Sequence, residues 1–260
     1  MKKFFVVGNP INHSLSPELH NLWMKRHDID GIYKKIKLEE NDLKSFIQDL
    51  RHEKIHGINV TVPFKNKVIE YLDKKSLEVE KTGSVNTIYK SNQKIIGHNT
   101  DVAGFELGLR HSKINVFEKS VFILGAGGVV PSIIYSLLNM GCKKIILTNR
   151  TIEKTEQIKK KFEEIEIIKW GEIPDFDIII NATSVGLKGD SLKLNFDVKD
   201  KIFYDVIYNP KETEFLKNAK NKGNKIENGK LMFIYQANQS FSIWNNVIPK
   251  IDEEVLNIIP

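Results

Sequence analysis

The sequence predicts an α/β protein of two domains, and three observations point to it. Strand-like and helix-like segments alternate along the chain. The apolar run Val121–Leu124 leads directly into Gly125-Ala126-Gly127-Gly128 and then a helical stretch. The 260 residues exceed the ~150 of an average domain, enough to bury roughly 70–75% of the unfolded surface without a metal or disulfide staple. In chain order, Phe4–Val7 reads as a buried strand. Ser16-Pro17-Glu18 has helix-start chemistry, with Ser16 as N-cap and Pro17 at the first helical position. Tyr33–Leu38 reads as a half-buried strand. Leu43, Phe46, Ile47 and Leu50 follow the i, i+3, i+4, i+7 spacing of an amphipathic helix. Ile58–Val62 is rich in β-branched residues and stops at Pro63. Val85–Tyr89 and Lys94–Gly97, joined through Ser91-Asn92, predict a hairpin.

After Asp101 the character changes. The strand Val121–Leu124, a helix, the strand Ile145–Leu147, and the apolar runs Asp177–Ile180 and Ile202–Tyr204 give the spacing of a parallel sheet with helices on both faces. The segment after Gly229 reads as helical, with Met232, Phe233, Phe241 and Trp244 as packing anchors.

Composition narrows the function classes. At 41% hydrophobic and 28% charged residues the chain is neither disordered nor collagen-like. Its one cysteine, Cys142, allows no internal disulfide and reads as a small buried hydrophobe; this fits a reducing compartment, and also a secreted protein without disulfides. No apolar run approaches the ~18–20 residues of a membrane span. The start of the chain imitates a signal peptide, but its apolar stretch is four residues against the ~7–15 required. A net charge of +6 comes from scattered lysines, without the arginine blocks and interleaved aromatics of a nucleic-acid groove. His13 and His20 have no cysteine or acid at metal-ligand spacing.

The glycine turn carries the sharpest local chemistry. Gly125 permits a tight turn and Gly127 a close approach of backbone to a pyrophosphate, with the helix N-terminus offering N–H groups behind it. Val130 stands where a third glycine would complete the motif. The second strand runs into Asn149-Arg150-Thr151, with Lys154 one turn on and the first acid only at Glu153. A carboxylate at that place would bind ribose hydroxyls and repel a 2′-phosphate, whereas Arg150 can pair with the phosphate as a fork. These residues favour NADP over NAD, although Thr151 could instead cap a helix with Arg150 as a surface residue.

Eight motifs then fall in order. Gly8-Asn9-Pro10-Ile11-Asn12-His13-Ser14-Leu15-Ser16-Pro17 with His20-Asn21, Asn59-Val60-Thr61-Val62-Pro63-Phe64-Lys65, Gly83-Ser84-Val85-Asn86-Thr87 and Gly97-His98-Asn99-Thr100-Asp101 fill the first part. Asn149-Arg150-Thr151, Asn181-Ala182-Thr183-Ser184-Val185-Gly186, Asp205-Val206-Ile207-Tyr208-Asn209-Pro210 and Gly229-Lys230-Leu231-Met232 through Gln236-Ala237 fill the second. Together they resemble the shikimate dehydrogenases over nearly the whole chain. The resemblance implies reversible reduction of 3-dehydroshikimate to shikimate with NADPH, in aromatic amino-acid biosynthesis. It implies an N-terminal α/β substrate domain, residues 1–101 with 237–260 returning to it, and a Rossmann-like, doubly wound NADP domain, residues 102–236.

Site residues follow from the same resemblance. Lys65 and Asp101 are the catalytic pair: an ammonium beside the growing negative charge of the ketone oxygen, and a carboxylate to hold it. Asp101 could equally be the N-cap of a helix over Val102–Leu109. Ser14 and Ser16 would bind the substrate carboxylate with Tyr208 nearby, and Asn59, Thr61, Asn86, Asp101 and Gln236 the hydroxyl side. The cofactor set is Gly125, Ala126, Gly127, Gly128, Val129, Asn149, Arg150, Thr151, Lys154, Ala182, Thr183, Val206, Gly229 and Met232. Met232 and Gln236, four apart, share a helix face. Lys154 stands where many relatives have a second arginine, and Leu77 is given no role. The expected partners are small molecules, not nucleic acid, membrane or metal, and the expected state is a cytoplasmic monomer or homodimer. The rival reading is a quinate/shikimate dehydrogenase accepting NAD. A non-catalytic nucleotide-binding regulator and a nucleic-acid-binding protein are more distant alternatives.

Overall fold

A computed structural model describes residues 1–260. The chain divides into two compact units, Met1–Gly104 with Ile234–Ile258, and Phe105–Phe233 with Ile259–Pro260.

The first unit opens with β1 (Lys2–Gly8), α1 (Ser16–Arg26), β2 (Gly31–Lys37) and α2 (Leu43–Arg51). It continues through β3 (Gly57–Val60), β4 (Lys74–Lys75), α3 (Leu77–Thr82), β5 (Thr87–Ser91), β6 (Lys94–His98) and the start of α4 (Thr100–His111). The sheet order is β2-β1-β3-β5-β6-β4. β1 runs parallel to β2 and β3, and β5 antiparallel to β3 and β6. The β5–β6 hairpin turns at Asn92 and Gln93, both at positive φ (48° and 62°), as a two-residue turn requires. Leu43, Ile47 and Leu50 of α2 are buried against Val7, Ile58, Ile88 and Ile95, so the predicted amphipathic stripe faces the sheet. β3 ends at Val60, two residues short of the expectation, and Val62 is largely exposed. The chain turns there, with the Phe64 N–H donating to the Thr61 carbonyl and the Phe64 ring buried.

The second unit holds β7 (Ser120–Leu124), α5 (Val130–Asn139), β8 (Lys144–Thr148), α6 (Ile152–Lys159), β9 (Glu166–Ile167) and β10 (Ile178–Asn181). β11 (Ile202–Asp205), α7 (Glu214–Asn221) and β12 (Lys225–Asn228) complete its sheet, ordered β12-β11-β10-β7-β8-β9 with every pair parallel. The chain steps outward from β7 to β9, then returns to β10 on the other side of β7. In open parallel sheets ligands bind where the order reverses, beyond the carboxyl ends of the two strands. Here those ends are Leu124 and Asn181.

Alternation explains the double winding. Val121 and Ile123 pack with Ile133, Leu137, Ile178 and Ile180 on one face, while Phe122 and Leu124 pack with Ile179, Phe203, Phe215 and Leu216 on the other. Successive strand residues point to opposite faces, so a strand apolar throughout needs helices on both. Cys142 differs from expectation: it is half-buried, its thiol donates to the Lys119 and Lys144 carbonyls, and desolvation pushes its pKa up to about 11.

The last helices are α8 (Lys230–Asn245) and α9 (Glu253–Ile258). The unit boundary falls within both α4 and α8. Phe241 and Trp244 of α8 join an aromatic cluster with Phe4, His20, Trp23 and Tyr33. His20 stacks on Tyr33 at 4.2 Å and 5°. It is a buried packing residue. No helix is long and apolar enough to cross a membrane.

Burial alone pushes the His20 pKa down to about 3. The unfolded chain therefore binds this proton from about pH 6.5 downward while the folded chain does not, so stability falls as pH drops below about 6.5. Asp205, raised by burial, works in the opposite sense below pH 6. Thermal unfolding of wild type and His20→Phe between pH 7.5 and 4.5 separates the two contributions. The wild-type midpoint should fall more steeply with acid than that of the variant, and parallel curves would contradict the buried neutral imidazole.

Candidate active site

In the first unit a polar cluster is built on three segments that the sheet and helices bring together. The turn after β3 delivers Lys65, the residue before β5 is Asn86, and the first turn of α4 delivers Asp101. The Lys65 ammonium pairs with Asp101 Oδ2. Both side chains are mostly withdrawn from water, at 13% and 8% exposed. Asp101 Oδ1 accepts from Asn86 Nδ2 at 2.9 Å. Asn86 Nδ2 also donates to Thr100 Oγ1 at 2.8 Å and reaches Gln236 Oε1 at 3.4 Å. On its other side Asn86 Oδ1 accepts from the Thr100 N–H at 2.8 Å and from the Thr87 hydroxyl.

Two expected helix caps fall elsewhere. α4 begins at Thr100, and the Asn99 side chain accepts from the Asp101 N–H. Asp101 is therefore not the N-cap; it lies inside the first turn, with its carboxylate free to meet Lys65. Likewise α1 begins at Ser16, whose hydroxyl caps nothing. Leu15 occupies the cap position, and Ser14 Oγ, one residue further out, accepts from the Ser16 N–H at 3.3 Å and donates to Ser16 Oγ at 3.2 Å. In both cases the polar residue one or two positions earlier has the non-helical backbone from which a side chain can reach back to a first-turn N–H.

Asn59 and Ser16 connect to this network from behind. The Asn59 amide donates to the Asn86 carbonyl, Thr87 Oγ1 and Ser240 Oγ, and accepts from the Tyr33 hydroxyl at 2.7 Å. Burial pushes the Tyr33 phenol well up, with a Ser16 hydrogen bond opposing it. Ser240, one turn after Gln236 on α8, bonds to Thr87 at 2.7 Å and Thr100 at 3.1 Å. The sequence assigns no role to Tyr33, Thr87 or Ser240. The i, i+4 spacing from Gln236 to Ser240 was the available signal. Thr61 is half-buried with its methyl packed over Gly8. Lys65, Asp101, Asn86 and Gln236 thus meet directly, and Asn59, Ser14 and Ser16 adjoin them.

The second unit carries the glycine turn at the end of β7. Gly125 has φ +106°, and a Cβ there would lie 2.9 Å from the Ala182 carbonyl oxygen, so only glycine fits. A Cβ at Gly127 would meet only that same oxygen, at 3.8 Å. Backbone there stands open to a diphosphate-sized group. Ala126 and Val129 pack half-buried on the core, Gly127 and Gly128 face solvent, and Val130 is buried at the start of α5. At the end of β8 the Asn149 amide donates to the Thr151 carbonyl. Thr151 occupies the N-cap position of α6, but its hydroxyl makes no capping bond. Arg150 and Lys154 are exposed and form no ion pair within the chain. The donor set at this strand end therefore fits an anion. Gly229 passes so close to Val206 that a Cβ would sit 2.1 Å from its carbonyl oxygen, and the Gly229 N–H donates to the Ile207 carbonyl. Tyr208 stacks on Phe233 at 4.4 Å, and Met232 is buried in the core of this unit. No group of three or more His, Cys, Asp or Glu is placed to hold a metal ion.

Comparison with known proteins gives a consistent answer along the chain. Residues 6–88 match the family model described as shikimate dehydrogenase substrate binding domain, and residues 108–188 match that of shikimate / quinate 5-dehydrogenase. A shikimate dehydrogenase (NADP(+)) of Pelagibacter ubique is 54% identical over 99% of this chain and 98% of its own. Among solved structures, shikimate dehydrogenase from Aquifex aeolicus superposes with a TM-score of 0.91 at 35% identity, covering 99% of this chain and 96% of its own. The Thermus thermophilus enzyme in complex with NADP(H) and shikimate gives 0.88 at 28% identity, covering 98% and 97%.

The energetics of the cluster can be measured without any ligand. Removing one member of a mostly buried ion pair leaves an uncompensated charge and costs ~3–5 kcal/mol. Lys65→Met should therefore lower stability to urea by about 3 kcal/mol, and adding Asp101→Asn should restore part of the loss. Strictly additive losses in this double-mutant cycle would mean the two groups do not interact.

Proposed function

The chain belongs to the shikimate dehydrogenase family, and from that premise we propose that it catalyses the reversible reduction of 3-dehydroshikimate to shikimate with NADPH. The observation that carries the reading is the Lys65–Asp101 pair within the Asn86–Gln236 cluster. An ammonium has three N–H donors, and one of them goes to Asp101. The others are available to a ligand oxygen.

NADPH, when bound, supplies the hydride that reduces the ring ketone. The chain's own residues handle the oxygen. As the carbonyl gains an electron pair its oxygen becomes an alkoxide, and Lys65 Nζ–H stabilises that charge and gives up the proton. In the oxidative direction the neutral amine takes the hydroxyl proton. Asp101, fixed through its second oxygen by Asn86, keeps Nζ in place through both steps. Ser14 and Ser16, at the positive end of α1, hold the substrate carboxylate by hydroxyl donors. Asn59, Thr61, Asn86 and Gln236 serve the hydroxyl side. Gly125, Ala126, Gly127, Gly128 and Val129 would hold the diphosphate. Arg150 and Lys154, with Asn149 and Thr151, would hold the 2′-phosphate. Ala182, Thr183, Val206, Gly229 and Met232 would line the rest of the dinucleotide path. On this reading residues 1–101 with 237–260 form the substrate domain, with Gln236 at its boundary serving the substrate, and the rest of 102–236 forms the NADP domain, in a cytoplasmic monomer or homodimer.

A spectrophotometric assay crossing shikimate and quinate with NADP and NAD tests the reading directly. Reduced nicotinamide should form fastest with shikimate and NADP; an equal rate with quinate and NAD would defeat the assignment. Lys65→Ala should lower kcat by about two to four orders of magnitude, and near-wild-type turnover would remove Lys65 from the mechanism. Arg150→Ala should raise KM for NADP far more than for NAD, because only NADP offers the phosphate its fork would grip. Equal changes would mean that Arg150 does not read that group.

A further inference from the structure

The second unit holds a buried carboxylate for which the mechanism has no use. Asp205 ends β11 and is fully buried. Three donors surround it: Asn181 Nδ2 at 3.1 and 3.2 Å, Thr213 Oγ1 at 2.6 Å and the Ile207 N–H at 3.0 Å. Each partner leads to a different segment. Asn181 ends β10, and its Oδ1 accepts from the Thr183 N–H and hydroxyl at 3.1 and 2.7 Å while its Nδ2 also donates to the Val185 carbonyl. The Ile207 bond closes a tight turn around Val206, whose own N–H donates to the Asn181 carbonyl at 3.0 Å. Thr213 caps α7 and lies against Gly186 at the far end of the Asn181 loop.

We propose that Asp205 is the positioning residue of the dinucleotide site: its ionised carboxylate fixes, through Asn181 and the Ile207 N–H, the two strand-end turns that present Ala182, Thr183 and Val206. The proposal rests on the reading that those three residues line the NADP path. It follows from donor and acceptor counting. All three partners donate, so a carboxylate satisfies them, whereas a protonated acid places an O–H among donors and leaves one without an acceptor.

The same counting makes the site sensitive to acid. Desolvation pushes the Asp205 pKa up to about 6, against the Thr213, Ile207 and Asn181 hydrogen bonds that lower it. The flanking strand positions are Asn181 and Asn228, which carry no charge. The ionisable groups around it are Tyr204 and Glu227, with Asp190 on the adjoining loop. The Tyr204 phenol is pushed up by burial, and the Gly186 N–H holds Asp190 below the usual carboxylate range.

Calorimetric titration of the full chain with NADP+ between pH 5 and 8 tests the idea on wild type, Asp205→Asn and Thr213→Val. The ligand's own phosphate titrates near pH 6, but that contribution is common to all three proteins. Wild-type Kd should rise as pH falls through about 6 more steeply than the phosphate alone dictates. Asp205→Asn should bind about tenfold more weakly at pH 7.5, the consequence of one unpaired buried donor, and should lose the excess pH dependence. Thr213→Val keeps the carboxylate but removes a donor to it, so its break should move to higher pH; this variant decides the matter if Asp205→Asn does not fold. Wild-type affinity and an unchanged pH profile in Asp205→Asn, or no movement of the break in Thr213→Val, would overturn the proposal. Failure of wild type itself to bind NADP+ at any pH would instead overturn the dinucleotide reading.

Discussion

One buried amide sets the geometry of the first unit. Asn86 accepts from the Thr100 N–H and donates to Asp101 Oδ1, so a single side chain satisfies an orphan donor of α4 and aims the carboxylate that lies one residue further on. A helix N-terminus must find acceptors for its first N–H groups. With Asn99 taking the Asp101 N–H and Asn86 the Thr100 N–H, that requirement is met without using the Asp101 carboxylate. Asp101 is thereby left to Lys65. Had it been the N-cap, one oxygen would have been committed to the backbone and the ammonium held less firmly. The hydroxyls of Thr87, Thr100 and Ser240 complete the shell with hydrogen bonds of 2.7–3.3 Å among themselves. In a region closed to water each would otherwise carry a desolvation cost of ~1–3 kcal/mol. The cluster is consequently fixed before any ligand arrives.

The second unit solves a different problem by different means. Its turns at Gly125 and Gly229 depend on the absence of a side chain, because the backbone of one strand end lies against that of another. Specific chemistry is added at the edges, by Asp205 under the loops and by cations at the end of β8. Arg150 and Lys154 stay in solvent without an acidic partner, although ion pairs such as Lys144–Glu166 and Lys217–Glu214 occur elsewhere on this unit. An exposed ion pair contributes little to stability, so leaving these two cations unpaired costs the fold almost nothing. Their full attraction for an anion is preserved.

Much of this was legible in the sequence, and the parts that were not have a common cause. The parallel sheet, the glycine turn, the hairpin and the amphipathic α2 announce themselves through patterns spanning a few residues. The pairing of Lys65 with Asp101 was an expectation from family resemblance, and the structure brings the two side chains together. What local pattern could not rank were neighbouring polar residues competing for one backbone donor. Ser14 and Ser16, or Asn99 and Asp101, are equally good caps by type; backbone conformation, set by the packing of the following helix, decides between them. Tyr33 and Ser240 escaped for a related reason. Their partners lie far away in sequence, Thr87 and Ser240 being 153 positions apart, and a lone hydroxyl carries no periodic signature.

A family resemblance identifies the side chains that meet a ligand more readily than those that hold them, and Asp205 shows why. Its motif, Asp205 through Pro210, draws notice for Val206 and Tyr208, yet its one buried charged member is the aspartate. A carboxylate withdrawn from water is tolerated only where donors converge on it. Three backbone or side-chain donors from three segments satisfy that condition here. The same convergence makes the segments move together or not at all. Burial thus turns one acid at a strand end into the joint between β10, β11 and α7, and a proton arriving there would be felt at every turn it supports.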